Sequence, residues 1–138
     1  MWFSKKLSKL TSVEHSKEWY SRIKGQLDEA RIDNVDYRYI PLAHLEDEKG
    51  KDGYYRCPSY VDVVNEFSDC SIDILIVDGQ YRNACIKYSI PKIKHGGLLL
   101  IDDVHTWSSL DELPVPKDWE LLDLSSDGIR KCGIWQKS

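Results

Sequence analysis

No stretch of this sequence stays apolar over the roughly 20 residues that a membrane-spanning helix needs. The opening Met1-Trp-Phe-Ser-Lys-Lys lacks the apolar core of a secretory signal. Only four cysteines occur (Cys57, Cys70, Cys85, Cys132), and none forms a C-x-x-C pair. That pattern excludes a cysteine-based metal or redox motif and is expected of a protein in the reducing cytoplasm. No basic stripe appears, and the net charge is -4, which argues against general binding to phosphate backbones. A G-x-G-x-x-G fingerprint is missing too, which counts against a dehydrogenase-type dinucleotide binder. There is no internal repeat. What remains is 138 residues with 41% hydrophobic and 30% charged side chains, the make-up of a single globular domain (1–138) able to bury a real core.

The stretch from Ser71 to Val104 organises the rest. Ser71-Ile-Asp-Ile-Leu-Ile-Val-Asp78-Gly79 and Gly96-Gly97-Leu-Leu-Leu-Ile-Asp102-Asp103 are each a short apolar run that stops at acids. Ile74 to Val77 and Leu98 to Ile101 do not alternate with polar residues. This predicts strands buried on both faces, as in a parallel sheet covered by helices. The interval between them fits one crossover helix, giving a βαβ unit. Ligands of open parallel sheets sit at the carboxyl ends of the strands. Asp78, Asp102 and Asp103 are therefore the first candidate functional residues.

Met1 to Leu10 reads as the end of a helix running into a strand, with Trp2 and Phe3 as a buried-looking aromatic pair. Leu10 to Glu14 reads as a strand. Ser16 is the expected N-cap of the next helix, with Glu18 in its first turn. Trp19, Ile23, Leu27 and Ala30 recur on one helical face, and Asp33-Asn34 is the expected stop. Val35 to Ile40 alternates, as an edge strand does. Glu46 to Gly53 reads as a charged loop. Ser59 is an expected N-cap with Asp62 as its capping-box acid, and Tyr60, Val64 and Phe67 define the helix face. After the strand at Ile72 to Val77, a helix is expected from Asn83, ended by Pro91, with His95-Gly96-Gly97 as its left-handed closure. Trp107 to Asp118 reads as a loop with one helical turn. Trp119 to Leu124 and Arg130 to Trp135, joined through Asp127-Gly128, predict a β-hairpin.

Four groups taken together carry a resemblance. They are Thr11-Ser-Val-Glu14-His15 with Lys17-Glu-Trp19-Tyr20, Asp73 to Gly79 with Tyr81-Arg82, Gly96 to Asp103, and the closing hairpin. In this order and spacing the chain resembles the class I S-adenosylmethionine-dependent methyltransferases, from their second strand to their seventh. The resemblance implies an α/β fold: a three-layer Rossmann-like sheet, mostly parallel, with a C-terminal antiparallel hairpin and strand order 3-2-1-4-5-7-6. It also implies truncation at the N-terminus, the first strand and its glycine-rich loop being missing.

By the same resemblance, Glu14 accepts hydrogen bonds from the ribose of S-adenosylmethionine, His15 lies beside the adenine, and Asp78 stands beside methyl donor and acceptor. Ile40-Pro41-Leu42 departs from the family in offering no polar adenine contact. Cation-dependent O-methyltransferases of the catechol type hold a divalent metal at the places of Asp78, Asp102 and Asp103, usually with Asp-Asn where this chain has Asp-Asp. Such hard oxygen ligands suit Mg²⁺.

The expected function is thus that of a methyltransferase-like protein, truncated and not necessarily active alone, with a small-molecule methyl acceptor. Asp78, Asp102 and Asp103 are its expected catalytic residues. Tyr81, Arg82 and His105 are the expected substrate contacts, His105 being also a candidate general base. The alternative is a non-catalytic interaction or assembly module derived from that fold. Either way a homo-oligomer, or a complementary chain supplying the missing strand, is expected to cover the gap.

Overall fold

The computed structural model describes residues 2–45 and 58–138, so the charged loop expected at Glu46 to Gly53 lies outside the described residues. The chain divides into two compact units, Met1–Tyr60 and Val61–Ser138.

In the first unit, β1 (Leu10–Glu14) pairs in parallel with β2 (Val35–Tyr39), Leu10 opposite Val35 and Glu14 opposite Tyr39. The crossover is α1 (Lys17–Glu29). Ser16 caps it, its hydroxyl accepting from the Trp19 N–H at 3.4 Å, and Glu18 lies in the first turn. The inward face keeps Ile23 and Leu27 of the expected one but not Trp19 and Ala30. Tyr20, Ile23 and Leu27 point inward, while Trp19 and Ala30 are exposed. The cause is aromatic. Tyr20 stacks on Tyr37 at 5.1 Å and lies against Tyr39 at 5.6 Å, which puts Tyr20 rather than its neighbour Trp19 on the inward face.

Arg31, at φ 52, stops the helix before Asp33-Asn34 is reached. Asn34 has a different part: its amide donates to the carbonyls of Ser4 and Leu7, both at 2.8 Å. The segment so held is a short 3-10 turn, Phe3–Lys5, in place of the expected helix end. Trp2 and Phe3 are exposed and pack edge-on to each other, because so short a turn offers them no second face to bury.

The chain passes into the second unit within α2 (Ser59–Asp62), which a 3-10 turn, Val63–Glu66, prolongs. Ser59 is its first helical residue rather than a cap outside it, and Val61 and Val64 are its buried positions. Then follow β3 (Ile72–Val77), α3 (Arg82–Ser89), β4 (Ile93–Ile101), β5 (Glu120–Ser126) and β6 (Lys131–Gln136). The sheet order is β3-β4-β6-β5, with β6 antiparallel to both neighbours. Hence β3, β4 and β5 run one way and β6 the other. Within the first unit the strand order matches the 3-2 part, and within the second the 4-5-7-6 part, of the order that the resemblance implies. Two 3-10 turns, Val104–Thr106 and Leu110–Glu112, occupy the loop before the hairpin.

Leu99, Ile101, Ile93 and Ile86 are fully buried, with Val77, Trp119 and Trp135 closing the core around them. Burial on both faces holds for the central strand β4 better than for β3. Val77 is buried and Leu75 half-buried, yet Ile74 and Ile76, which alternate with them on the opposite face of β3, are exposed. A second correction concerns Gly96-Gly97. These residues close no helix; they lie inside β4, where the pairing shifts register between Ile72 opposite Ile93 and Ile74 opposite Leu98. Gly96 takes φ +73 in that bulge. At Gly97 an added Cβ would meet Ile93 Cγ2 at 2.8 Å, the Lys94 carbonyl at 2.9 Å and the Asp73 carbonyl at 3.1 Å. Two of these are backbone atoms and cannot step aside. Gly97→Ala is therefore expected to lower unfolding free energy by about 1–3 kcal/mol, measured by urea denaturation, with Gly25→Ala as a control in open space.

Candidate functional site

β3 and β4 end together. Val77 pairs with Ile101, and the Asp102 N–H donates to the Val77 carbonyl at 3.0 Å. The residues that follow, Asp78 and Asp102, are thereby brought side by side. Asp103 joins them, so that one oxygen of each of the three carboxylates lies within 4.8 Å of the others. Two oxygens bound to one cation at about 2.1–2.5 Å stand at most about 4–5 Å apart. Small side-chain rotations therefore suffice for this set to close on a divalent ion, and its all-oxygen chemistry suits Mg²⁺ or Ca²⁺.

Arg82 already stands in the cluster. Its Nη2 donates to Asp103 Oδ2 at 3.1 Å and lies 3.8 Å from Asp78 Oδ1, while its Nε donates to the Gly79 carbonyl at 3.1 Å. His105 Nδ1 lies 3.8 Å from Asp103 Oδ1 and 3.4 Å from the Lys131 backbone nitrogen. Tyr81 shares the loop but is buried. Arg82, Asp103 and His105 thus converge with the acids, whereas the Tyr81 ring belongs to the packing.

Glu14 and His15 lie in the first unit, at the carboxyl end of β1. Glu14 Oε1 accepts from the Ser16 N–H at 2.7 Å and lies 3.4 Å from His15 Nδ1. The His15 ring meets Tyr60 edge-on at 5.9 Å. Sequence reasoning gave Tyr60 only a place on a helix face. It also passed over Cys132, whose thiol is pushed up by burial and then by Asp102, Asp123 and Asp78. The strand register that puts Gly133 opposite Ile101 brings Cys132 there, and no local pattern signals it.

No known protein-family pattern matches the sequence, and no curated protein matches it. Solved structures do. A methyltransferase from Geobacter sulfurreducens is 12% identical with a TM-score of 0.67, over 98% of this chain and 63% of its own. An rRNA methylase from Streptococcus thermophilus is 11% identical with a TM-score of 0.59, over 94% and 73%. A Streptococcus mutans protein assigned as a methyltransferase, solved with SAH bound, is 12% identical with a TM-score of 0.59, over 94% and 76%. The chain has the fold of the class I S-adenosylmethionine-dependent methyltransferases. It spans 63–76% of the length of these three neighbours. No helix among the described residues is long and apolar enough to cross a membrane.

The Asp78 carboxyl is held above the ordinary carboxylate value by partial burial, then by its hydrogen bond and charge contact with Asp102; Arg82 opposes the shift. A raised acid contributes stability that is fully present below pH 3.8 and lost as pH rises through the raised value. Asp78→Asn removes that loss. In metal-free buffer the variant is expected to melt higher than the wild type above this window and to converge with it below pH 3.8. Thermal melts across the acid range decide it; parallel curves at every pH would refute the repulsion.

Proposed function

We propose that this chain is a methyltransferase-type domain that transfers a methyl group from S-adenosylmethionine to a hydroxyl of a small-molecule acceptor. One observation carries the reading: three carboxylates converge at the carboxyl ends of β3 and β4 in a chain of methyltransferase fold. Asp78 and Asp102, with Asp103 beside them, would hold a divalent cation, which when bound supplies Lewis-acid polarisation of the acceptor hydroxyl. Glu14 takes the ribose. Its Oε1 is engaged by the Ser16 N–H, and the other carboxylate oxygen is the one offered to a ribose hydroxyl. His15, braced by Tyr60, gives the adenine an aromatic wall. On this reading His105, whose ring lies beside Asp103, takes up the acceptor's proton.

Binding of the donor is expected to be weak. The sequence has no G-x-G loop to bring backbone amides to the methionine portion, and several such contacts at about 1 kcal/mol each are orders of magnitude in affinity. Calorimetry should give a Kd above the low-micromolar range, weakened at least about tenfold further by Glu14→Ala. Transfer of labelled methyl to hydroxylated small molecules should depend on Mg²⁺. Failure of transfer and of donor binding together would sink the proposal.

The exposed Ile74 and Ile76 on the edge strand β3 favour a second reading, an assembly module in which two copies meet across that edge. Sedimentation at micromolar concentration should then show a dimer that Ile74→Lys dissociates. A monomer at every concentration excludes it.

A further inference from the structure

We infer that Arg82 is a positioning residue that gives the three acids different roles, holding Asp103 as its own counter-ion and leaving Asp78 and Asp102 to face a ligand. The division is visible in distance and exposure. The Arg82 Nη2–Asp103 Oδ2 contact is a hydrogen bond at 3.1 Å, while Nη2 to Asp78 Oδ1, at 3.8 Å, is beyond hydrogen-bond length. The Arg82 and Asp103 side chains are only 18% and 25% exposed, against 65% for Asp78. The inner pair is therefore desolvated and bonded, and Asp78 projects outward.

The backbone agrees. Tyr81 (φ 55, ψ 36) and Asp103 (φ 56, ψ 35) are both left-handed, and each immediately precedes the helical turn that follows its strand. Non-glycine residues stay in that region only where their surroundings fix them. Arg82 fixes both loops at once. It follows Tyr81 in the chain, its Nε donates to the Gly79 carbonyl, and its Nη2 donates to Asp103. A guanidinium can do this because its donors are set in a rigid fork; a lysine ammonium is a single point charge and cannot make both bonds at these angles. Sequence reasoning gave Arg82 to the substrate. The geometry gives it to the loops instead.

The ligand-facing role of Asp78 and Asp102 rests on the proposed function, whereas the Arg82–Asp103 pairing does not, and two measurements separate them. The first is melting in metal-free buffer. Arg82→Gln and Asp103→Asn should each lower the melting temperature, and the double variant should be no worse than the poorer single, because both remove one interaction. Arg82→Lys should recover only part of the loss. Additive losses, or full rescue by lysine, would overturn the pairing. The second is Mg²⁺ binding by calorimetry. Asp78→Asn and Asp102→Asn should weaken it at least about tenfold, and Asp103→Asn less than about threefold. If all three acids were merely structural, they would not split in this way. Equal losses from Asp103→Asn and Asp78→Asn would overturn the division of roles. Should the wild type take up no Mg²⁺, the cation reading of the site falls, and the pairing is decided by the melting data alone.

Discussion

The parallel pairing of β3 with β4 is the constraint on which the site depends. In-register parallel strands end level, about 4.8 Å apart. Whatever follows Val77 must therefore meet whatever follows Ile101, and here both successors are aspartates. Their repulsion opposes the pairing. It is the weaker effect: a contact between partly exposed charges is worth about 1 kcal/mol or less, whereas each fully buried side chain such as Leu99 or Ile101 contributes roughly 1.5–3 kcal/mol. The apolar ladder thus forces like charges together, and the repulsion is left for a proton, Arg82 or a cation to relieve.

β4 carries this burden because it is the strand most firmly held. It has neighbours on both sides, and its irregular start is tied to the end of β6. The Gly96 N–H donates to the Lys137 carbonyl at 2.8 Å, and the Lys137 N–H returns to the Gly97 carbonyl at 2.9 Å. The Lys137 ammonium donates to the carbonyls of Ile90, just past the end of α3, and Ile93, the first residue of β4, at 3.1 and 2.8 Å. The C-terminal residues thereby lock the bulge, the bulge sets the register of Leu98 to Ile101, and that register delivers Asp102 to Asp78. A change at Lys137 would reach the acids through this chain of backbone bonds.

Strand boundaries were legible where an apolar run met an acid: Leu10–Glu14 and Ile72–Val77 stand in the structure as the sequence implied. Features set by non-local partners were not. The face of α1 turned on Tyr20 meeting Tyr37, which lies on a strand whose position the helix sequence does not encode. The two glycines before Leu98 were misassigned because a left-handed glycine is the same signal in a helix cap and in a bulge; only the pairing of Ile72 with Ile93 tells them apart. Exposure of Ile74 and Ile76 is confined to one face of β3, and an unbroken apolar run does not tell which of its two faces is covered. In the site, the acids were readable as strand ends. The Arg82–Asp103 bond, 21 residues apart in the chain, was not.

Asp102 and Asp103 pose a geometric problem that their left-handed turn resolves. In an extended chain, successive side chains point to opposite faces. Two consecutive aspartates continuing β4 would therefore send their carboxylates apart, and only one would meet Asp78. The reversal at Asp103, φ 56, breaks the alternation and returns its carboxylate to the side of its predecessor. Glycine would take this conformation at less cost, but it would bring no carboxylate. The sequence thus keeps a strained aspartate where an unstrained glycine would make the same turn, and the Arg82 hydrogen bond is what that carboxylate gains in return. At Tyr81 the same strain serves packing, since its ring is buried while its backbone starts α3 and points Arg82 across the gap. The two strained residues are one device: each turns its chain at a strand end, and the bond between Arg82 and Asp103 makes either turn depend on the other.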